Sequence, residues 1–413
     1  MKAEIITIGD EILIGQTVDT NSAWMANELN IIGVDVLRIS SISDKKDEIF
    51  KALDNAKLLA DIILITGGLG PTDDDITKTS LAEYFKTILV QDKEVLNHIE
   101  HFVIKRKSSM NVRNIQQADV PENCKIIKNN LGTAPGMWFE QEGRIIISMP
   151  GVPFEMKEMM SAYLLPKLAK NTTNSSIVHK TILTQGCSES KLAEILEKWE
   201  YNLPDIISVA YLPTPGLIKL RLTAKGENQN LLENLIDEQI IKLEKVIPEL
   251  ICGYDSDRLE EVLGKLLIKH DKTLSTAESC TGGNIAHLLT SIPGSSAYFK
   301  GGIIAYSNEI KENILSVSKS NLDDYGAVSK QVVEEMAEEV RKLYSTDFAI
   351  ATSGIAGPTG GSEDKPVGTT WIAVSNKSKV ISKKFIFGNH RGRNINYASL
   401  TAINMLRKLI LGK

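Results

Sequence analysis

Two adjacent side chains able to attack a carbonyl, Ser279 and Cys280, stand in the stretch Thr273–Gly283, TLSTAESCTGG. A short β-branched and apolar run precedes them, and two glycines, Gly282 and Gly283, follow. Asn284–Ser291 then carries apolar residues at helical spacing until Pro293-Gly294 ends the pattern. Strand, tight turn and helix in that order put a small nucleophile on a corner beside the amide-rich N-terminus of a helix. Tyr306, at the end of a predicted strand, and Lys311, in the first turn of the next predicted helix, are placed to face that corner. A serine hydroxyl needs a neighbour to take its proton. A lysine does this, directly or through a tyrosine, when burial lowers its pKa. Cys280 is the intrinsically stronger nucleophile, but His287, its nearest base, is seven residues along the chain and needs a fold-back to reach it. Amides beside Ser279, or those of Ser353 and Gly354, are the candidate donors to a developing oxyanion.

A second chemistry is written in Thr66–Thr77, TGGLGPTDDDIT. Gly67, Gly68 and Gly70 let backbone amides approach a phosphate, and the helix expected from about Ile76 offers its N-terminus. Asp73, Asp74 and Asp75 repel phosphate unless a divalent cation such as Mg²⁺ bridges the two. The plainer reading is a glycine-rich turn with an acidic first helical turn. Gly9-Asp10-Glu11 leaves the end of a neighbouring strand, and Arg113, Asn114 and Gln117 are long enough to reach a polar ligand. Gly132–Gly136 and Met149–Pro153 read as tight turns around a strand at Arg144–Ser148.

The elements that must carry these residues divide the chain into three expected domains. In residues 1–170, strands at Ala3–Ile8, Val34–Ile39 and Ile62–Ile65 alternate with helices at Ser22–Ile31 and Lys45–Ala60, the pattern of a parallel α/β sheet. Such sheets bind ligands beyond the carboxyl ends of their strands. Asn171–Ser176 reads as a polar linker. Residues 171–253 then give strand, helix, two strands and helix, a small α+β unit of split-βαβ type. Residues 254–413 return to α/β alternation, with strands at Asp347–Thr352, Gly368–Val374 and Lys384–Phe387 and a helix at Tyr397–Leu411. At 413 residues the chain exceeds a single core. The net charge of −5 argues against a dominant phosphate-backbone binder, and the four cysteines have no paired metal spacing. No apolar run nears the roughly 20 residues that span a bilayer. The N-terminus, with Glu4 inside a strand, lacks a signal-peptide layout, so a reduced, cytoplasmic enzyme is expected.

Motifs in both halves resemble a known family. GDEIL, DTNS, GGLGPTDDDIT, NNLGTAPGM and MPGVPFEM are similar to the N-terminal domain of the competence/damage-inducible CinA family, a domain of the molybdopterin-binding MoaB/MogA fold. That resemblance implies, in some members, a metal-dependent pyrophosphatase that splits ADP-ribose to AMP and ribose 5-phosphate. Its residues here would be Gly67, Gly68, Thr72 and Asn114 for substrate, with Asp74 and Asp75, the family's paired Asp, joined by Asp10 and Glu11 for the metal. TAESCTGG, GGIIAYSNEIK, YGAVS, TSGIAGPTGG and KPVGTTWIA resemble the C-terminal CinA domain, also found alone as the deamidase PncC. It implies deamidation of nicotinamide mononucleotide (NMN) to nicotinic acid mononucleotide and ammonia. Ser279 would be the nucleophile, with Tyr306 and Lys311 as its activating pair, and no cofactor is needed. Thr276, Gly282, Gly283, Ser353, Gly354, Gly357 and Arg391 would line the substrate, the Gly354–Gly361 loop wrapping its phosphate.

With the resemblance added, Ser279 is preferred to Cys280, which reads as a small buried hydrophobe, and His287 as a packed helix residue. The middle segment resembles the family's KH-like domain but lacks the Gly-x-x-Gly loop that clamps RNA, so a spacer or dimer contact is expected rather than nucleic-acid binding. One departure concerns the family's Gly-x-Arg-x-x-(Ile/Val)-Arg pattern. Arg391 matches its first arginine, whereas the second is absent or shifted, leaving Arg393 as a solvated loop charge. The leading expectation is a two-activity enzyme of pyridine-nucleotide salvage, homodimeric, with NMN and ADP-ribose as its small-molecule partners and no membrane. The alternative is a nucleotide- or pterin-binding scaffold without turnover, linked to competence or recombination.

Overall fold

The computed structural model describes residues 1–170 and 176–412. The expected linker at Asn171–Ser176 lies outside them except for Ser176, which opens a strand. The chain divides into two compact units, Met1–Val178 with Ala224–Glu233, and His179–Thr223 with Asn234–Lys413.

Eight strands belong to the first unit. They are β1 (Lys2–Ile8), β2 (Asp35–Ile42), β3 (Ile62–Thr66), β4 (Leu89–Gln91), β5 (Asp119–Pro121), β6 (Lys125–Ile127), β7 (Gly136–Gln141) and β8 (Arg144–Met149). Six of them form one sheet in the order β2-β1-β3-β8-β7-β6, and β4 pairs with β5 separately. The pairs β1–β2, β1–β3 and β3–β8 are parallel, as the alternation with helices predicts. Beyond this parallel core the sheet is mixed at one edge, where β7 runs antiparallel to β8 and β6 antiparallel to β7. The cause is local. Glu142 and Gly143 both have left-handed φ (52° and 77°), the two-residue turn that folds β7 back onto β8 as a hairpin.

From Ala3 to Ile8 every residue of β1 is buried, and successive side chains go to opposite faces of the sheet. Ile5 packs with Met25, Leu29 and Met156 on one face, Ile6 and Ile8 with Ile49, Leu53 and Phe85 on the other. Both faces are covered, which is why the central run Ile62–Thr66 has no polar side except its terminal threonine. Glu4, also in β1, is only 1% exposed, and it is matched across the strand pair. Arg38 donates to its two carboxylate oxygens at 2.7 and 2.8 Å, and Ser40 adds a third bond.

The second unit begins with a four-stranded sheet ordered β10-β11-β9-β12, made of β9 (Ser176–Thr184), β10 (Ile207–Thr214), β11 (Leu217–Gly226) and β12 (Ile251–Tyr254). Helices Glu189–Tyr201 and Gln229–Val246 accompany it. The sequence reading contains all of this except β12, which pairs antiparallel with β9. A five-stranded sheet follows in the order β14-β13-β15-β16-β17. Its strands are β13 (Leu274–Glu278), β14 (Phe299–Ile304), β15 (Phe348–Gly354), β16 (Thr369–Ser375) and β17 (Val380–Ile386). β14, β13 and β15 are parallel, and β16 and β17 antiparallel. Helix Lys330–Leu343 covers one face through Val333, Met336 and Val340. Helices Leu259–Lys269 and Arg391–Ile410 cover the other through Leu263, Leu267, Ile403 and Leu406. The last helix starts six residues earlier than its periodicity suggests, since His390 caps it by accepting the Arg393 amide at Nδ1, an uncommon cap for sequence to signal. Among the described residues no helix is long and apolar enough to cross a membrane.

Candidate functional site

β13 is flanked on both sides by parallel strands and stops at Glu278, opposite Ile304 of β14 and Thr352 of β15. The chain turns there. Ser279 donates its amide to the Thr352 carbonyl at 3.0 Å, and Gly282 and Gly283 turn the backbone with φ of 60° and 95°, conformations that favour glycine. Glu278 stands beside Ser279 yet is fully committed. Its buried carboxylate accepts the amides of Gly283, Ile285 and Ala286 at 3.0, 3.0 and 2.8 Å, and so caps the short helix Asn284–Thr290. Nothing in the spacing marks this acid as a cap, because it precedes the helix by six residues.

Lys311 enters from the next element. Ser307 caps helix Asn308–Asn313, accepting from the Ile310 amide, and this fixes the turn that aims the lysine inward. The residue is 1% exposed, the second-largest side chain so fully buried. Its Nζ donates to Ala305 O at 2.8 Å, lies 3.5 Å from the carbonyls of Tyr306 and Ser307, and is 3.2 Å from Ser279 Oγ. Burial lowers its pKa from the ordinary 10.5. Cys280 is itself buried, and loss of solvent pushes its thiol up to about 12. It is therefore a neutral thiol near pH 7. Ser279's amide is spent on Thr352, whereas among the described residues those of Cys280 and Thr281 reach no backbone carbonyl and are the candidate donors to an oxyanion.

The surrounding residues are not all where the sequence puts them. Tyr306 is 60% exposed, and its hydroxyl accepts from Arg391 Nη2 at 2.9 Å, so it meets Lys311 through its carbonyl and not its phenol. Arg391 Nη1 donates to Gly357 O at 3.0 Å, which brings the Gly-rich loop to the same mouth. Ser353 Oγ is turned away to Ala327 O at 2.6 Å. Gly354 is small for packing, since a Cβ would meet the Thr369 carbonyl and Thr370. Thr276 lies inside β13, 1% exposed, under Gly302. His287 and Arg393 are exposed, the latter in the first turn of a helix and not in a loop.

In the first unit, a cavity of about 450 Å³ opens at the carboxyl ends of β1, β3 and β8. Gly67, Gly68 and Gly70 line it together with Glu11, Asp44, Asp74 and Asp75. The amides of Gly68, Leu69 and Gly70 donate to no protein acceptor among the described residues, as an anion cradle requires. Gly67 has φ 112°, and a Cβ there would strike the Ile8 carbonyl. Asp10, Thr72 and Asn114 fall outside the lining. Asp10 gives only its amide, to Asp44 Oδ2 at 3.0 Å. Thr72 donates its amide and hydroxyl to Asp75 Oδ2, and Asn114 forms a capping box with Asn111. Asp73 pairs with Arg113 at the surface. Asp44 escapes the sequence reading, although it lies just past the end of β2, after Ser43, and the carboxyl-end rule applies to it too. Burial raises its pKa, and the negative charges of Asp10, Glu11 and Asp74 add to the rise. Among the described residues no three His, Cys, Asp or Glu side chains converge as a ready metal cage. Crowded all-oxygen donors of this kind fit a hard cation held by one or two carboxylates, water and substrate phosphate.

Three family descriptions match in succession: the probable molybdopterin binding domain over residues 4–170, the damage-inducible protein CinA KH domain over 179–253, and the CinA C-terminal domain over 256–410. A CinA-like protein of Cytophaga hutchinsonii is 48% identical over 98% of this chain and 97% of its own, and one of Flavobacterium psychrophilum 47% over 100% and 99%. The crystal structure of the competence/damage inducible protein CihA from Agrobacterium tumefaciens is 38% identical over 36% of this chain and 94% of its own, with a TM-score of 0.35. With a MoaB/MogA-like domain, a KH domain and a CinA C-terminal domain in order, and relatives of the same length throughout, the chain belongs to the CinA family of competence/damage-inducible proteins.

Proposed function

We propose that the C-terminal α/β domain is a serine amidohydrolase that deamidates nicotinamide mononucleotide. One observation carries the reading: a lysine almost without solvent exposure, its pKa lowered by burial, lies 3.2 Å from the hydroxyl of a corner serine. Neutral Lys311 takes the Ser279 proton as Oγ attacks the carboxamide carbon. The carbonyl oxygen gathers negative charge opposite the Cys280 and Thr281 amides. Lys311 then returns the proton to the leaving nitrogen, ammonia departs, and an acyl ester remains on Ser279. Water, deprotonated by the same lysine, hydrolyses that ester to the carboxylic acid and restores the serine. Arg391, held on the Gly357 carbonyl, would be the group that meets the phosphate end of the nucleotide.

A second activity is favoured by the open amides of Gly68, Leu69 and Gly70 in the same cavity as Glu11, Asp44, Asp74 and Asp75. We infer hydrolysis of a pyrophosphate such as ADP-ribose. Asp44 and Asp74, with Glu11 beside them, would hold a divalent cation there, which supplies charge neutralisation for the phosphates when bound. The glycine amides orient the pyrophosphate, and Asn21 and Gln117 line the wall against the remainder of the substrate.

The test is a mass-spectrometric assay of the purified full-length protein with NMN and with ADP-ribose. Nicotinic acid mononucleotide from NMN, lost in Ser279→Ala, is the expected result. A folded protein that converts neither substrate overturns both readings and leaves the ligand-binding scaffold.

A further inference from the structure

The two helices of the middle domain border a cavity that neither proposed activity uses. It has a volume of about 350 Å³ and lies between helix Glu189–Tyr201 and helix Gln229–Val246. Small-ligand sites have volumes of roughly 300–1,000 Å³. Ile195, Lys198 and Trp199 line it from the first helix, and Gln239, Lys242 and Val246 from the second. Both sets follow the spacing of a single helical face.

Gln239 is only 2% exposed, and its backbone carbonyl accepts from Trp199 Nε1 at 3.3 Å. Among the described residues its side-chain amide has no hydrogen-bond partner, although it lines the cavity. A buried polar group left unpaired is unfavourable, so this amide calls for a ligand that pairs with it. It offers a donor at Nε2 and an acceptor at Oε1, side by side. The matching edge carries an acceptor and a donor side by side, as adenine does with N7 and its N6 amino group. A primary carboxamide on a ring has the same pair. Trp199, almost buried, and the half-buried Ile195 and Val246 supply apolar wall for such a ring.

The charge around this hollow has one sign. Lys198 and Lys242 are exposed, and among the described residues neither meets a carboxylate, whereas Lys191 on the first helix is paired with Glu194. No acidic side chain lines the cavity. Two free cations beside a ring-sized hollow suit a ring that carries an anion. Its size holds one nucleotide and not a strand, and the net charge of −5 disfavours a long phosphate backbone.

We propose that this cavity binds a free mononucleotide whose ring presents a hydrogen-bond donor and acceptor side by side. Gln239 reads the ring edge, the apolar wall packs against its face, and Lys198 and Lys242 hold the phosphate. The cavity shares no residue with the serine–lysine pair, so it stands apart from the amidohydrolase reading.

The experiment uses the full-length protein with fluorine-labelled tryptophan. The chain has four tryptophans, and the Trp199 signal is assigned from Trp199→Phe. AMP is titrated into the wild type, and NMN into Ser279→Ala to prevent turnover; the tighter of the two tells an adenine edge from a carboxamide. At least one should move the Trp199 signal saturably. Lys198→Gln with Lys242→Gln, both at exposed positions, should raise its Kd about tenfold or more and leave the weaker binding of the matching nucleoside unchanged. Gln239→Leu should weaken nucleotide and nucleoside alike. Nicotinic acid mononucleotide, which keeps the phosphate but has only acceptors on its ring substituent, should bind at least ~10-fold more weakly than the better probe. A Trp199 signal that neither probe moves at millimolar concentration overturns the site. So does a response unchanged in the double lysine variant, or one as strong with nicotinic acid mononucleotide. An oligoadenylate strand that moves the signal at lower concentration than AMP overturns the free mononucleotide as its occupant.

Discussion

Ser279 and Lys311 are buried and 3.2 Å apart, whereas the carboxylates around Gly67–Gly70 line an open cavity without converging. Both centres occupy the carboxyl ends of parallel strands, so the architecture does not explain the difference. The chemistry does. Proton transfer between two side chains needs them in hydrogen-bond reach before substrate arrives, and it needs a lysine dry enough to be neutral. A cation-assisted pyrophosphatase leaves coordination positions for water and phosphate, and its carboxylates repel one another until the cation is there. Asp44, with a pKa raised by burial and by its acidic neighbours, carries that repulsion. The first centre is assembled by the fold and the second awaits its ligands.

The largest effect separating the two should come from Ser279→Ala and Lys311→Met. Each should lower NMN deamidation by on the order of 10³-fold or more, and the double variant should be little worse, because the pair acts as one unit. ADP-ribose cleavage should persist in all three. Independent, multiplying losses would break the picture of a single preassembled pair.

Chelation should act in the opposite sense. It should lower ADP-ribose cleavage at least ~100-fold while deamidation continues, and Asp44→Asn should reproduce most of that loss. Equal loss of both activities on chelation would remove the contrast.

The pH dependence sharpens it further. Deamidation should rise with pH to a plateau with a midpoint below 10.5, as Lys311 becomes a base. Stability carries the same signature. The folded-state pKa of Lys311 lies below the unfolded 10.5, so between the two values the unfolded chain binds the extra proton and stability climbs with pH. Below the folded value the penalty is fully present. Denaturation of wild type against Lys311→Met across that window should show the slope only in the wild type.

The smallest effect belongs to Cys280→Ala, which should keep most deamidation and cost about 1 kcal/mol in stability through lost packing. With a thiol pushed up to about 12, the wild type should also react slowly with thiol reagents at pH 8. A folded but inactive Cys280→Ala beside an active Ser279→Ala would make the thiol the nucleophile.

Much of this molecule is legible in its residues. Strand β1, the apolar run of β3 and the strand–turn–helix at Glu278–Asn284 follow from side-chain pattern and glycine placement, which act over a few residues. The proposed nucleophile and its lysine can be picked out too, since Ser279 directly follows β13, Lys311 lies in the helix after β14, and the type of each limits its chemistry. Strands β6, β7 and β12 and the early start of helix Arg391–Ile410 escape that reading, because short strands and a histidine cap carry weak local signals.

What the tertiary structure alone decided is partnership. Glu278 looks like a free acid beside the serine until three amides of a following helix close on it. Tyr306 looks like the partner of Lys311 until Arg391, 85 residues further on, takes its hydroxyl. Asp44 enters the cavity only because β2 lies parallel to β1. Sequence fixes which groups can donate, accept or titrate, and the local turn that presents each one. Burial, distance and the choice among competing partners depend on contacts between segments far apart in the chain, and those exist only once the sheets have formed.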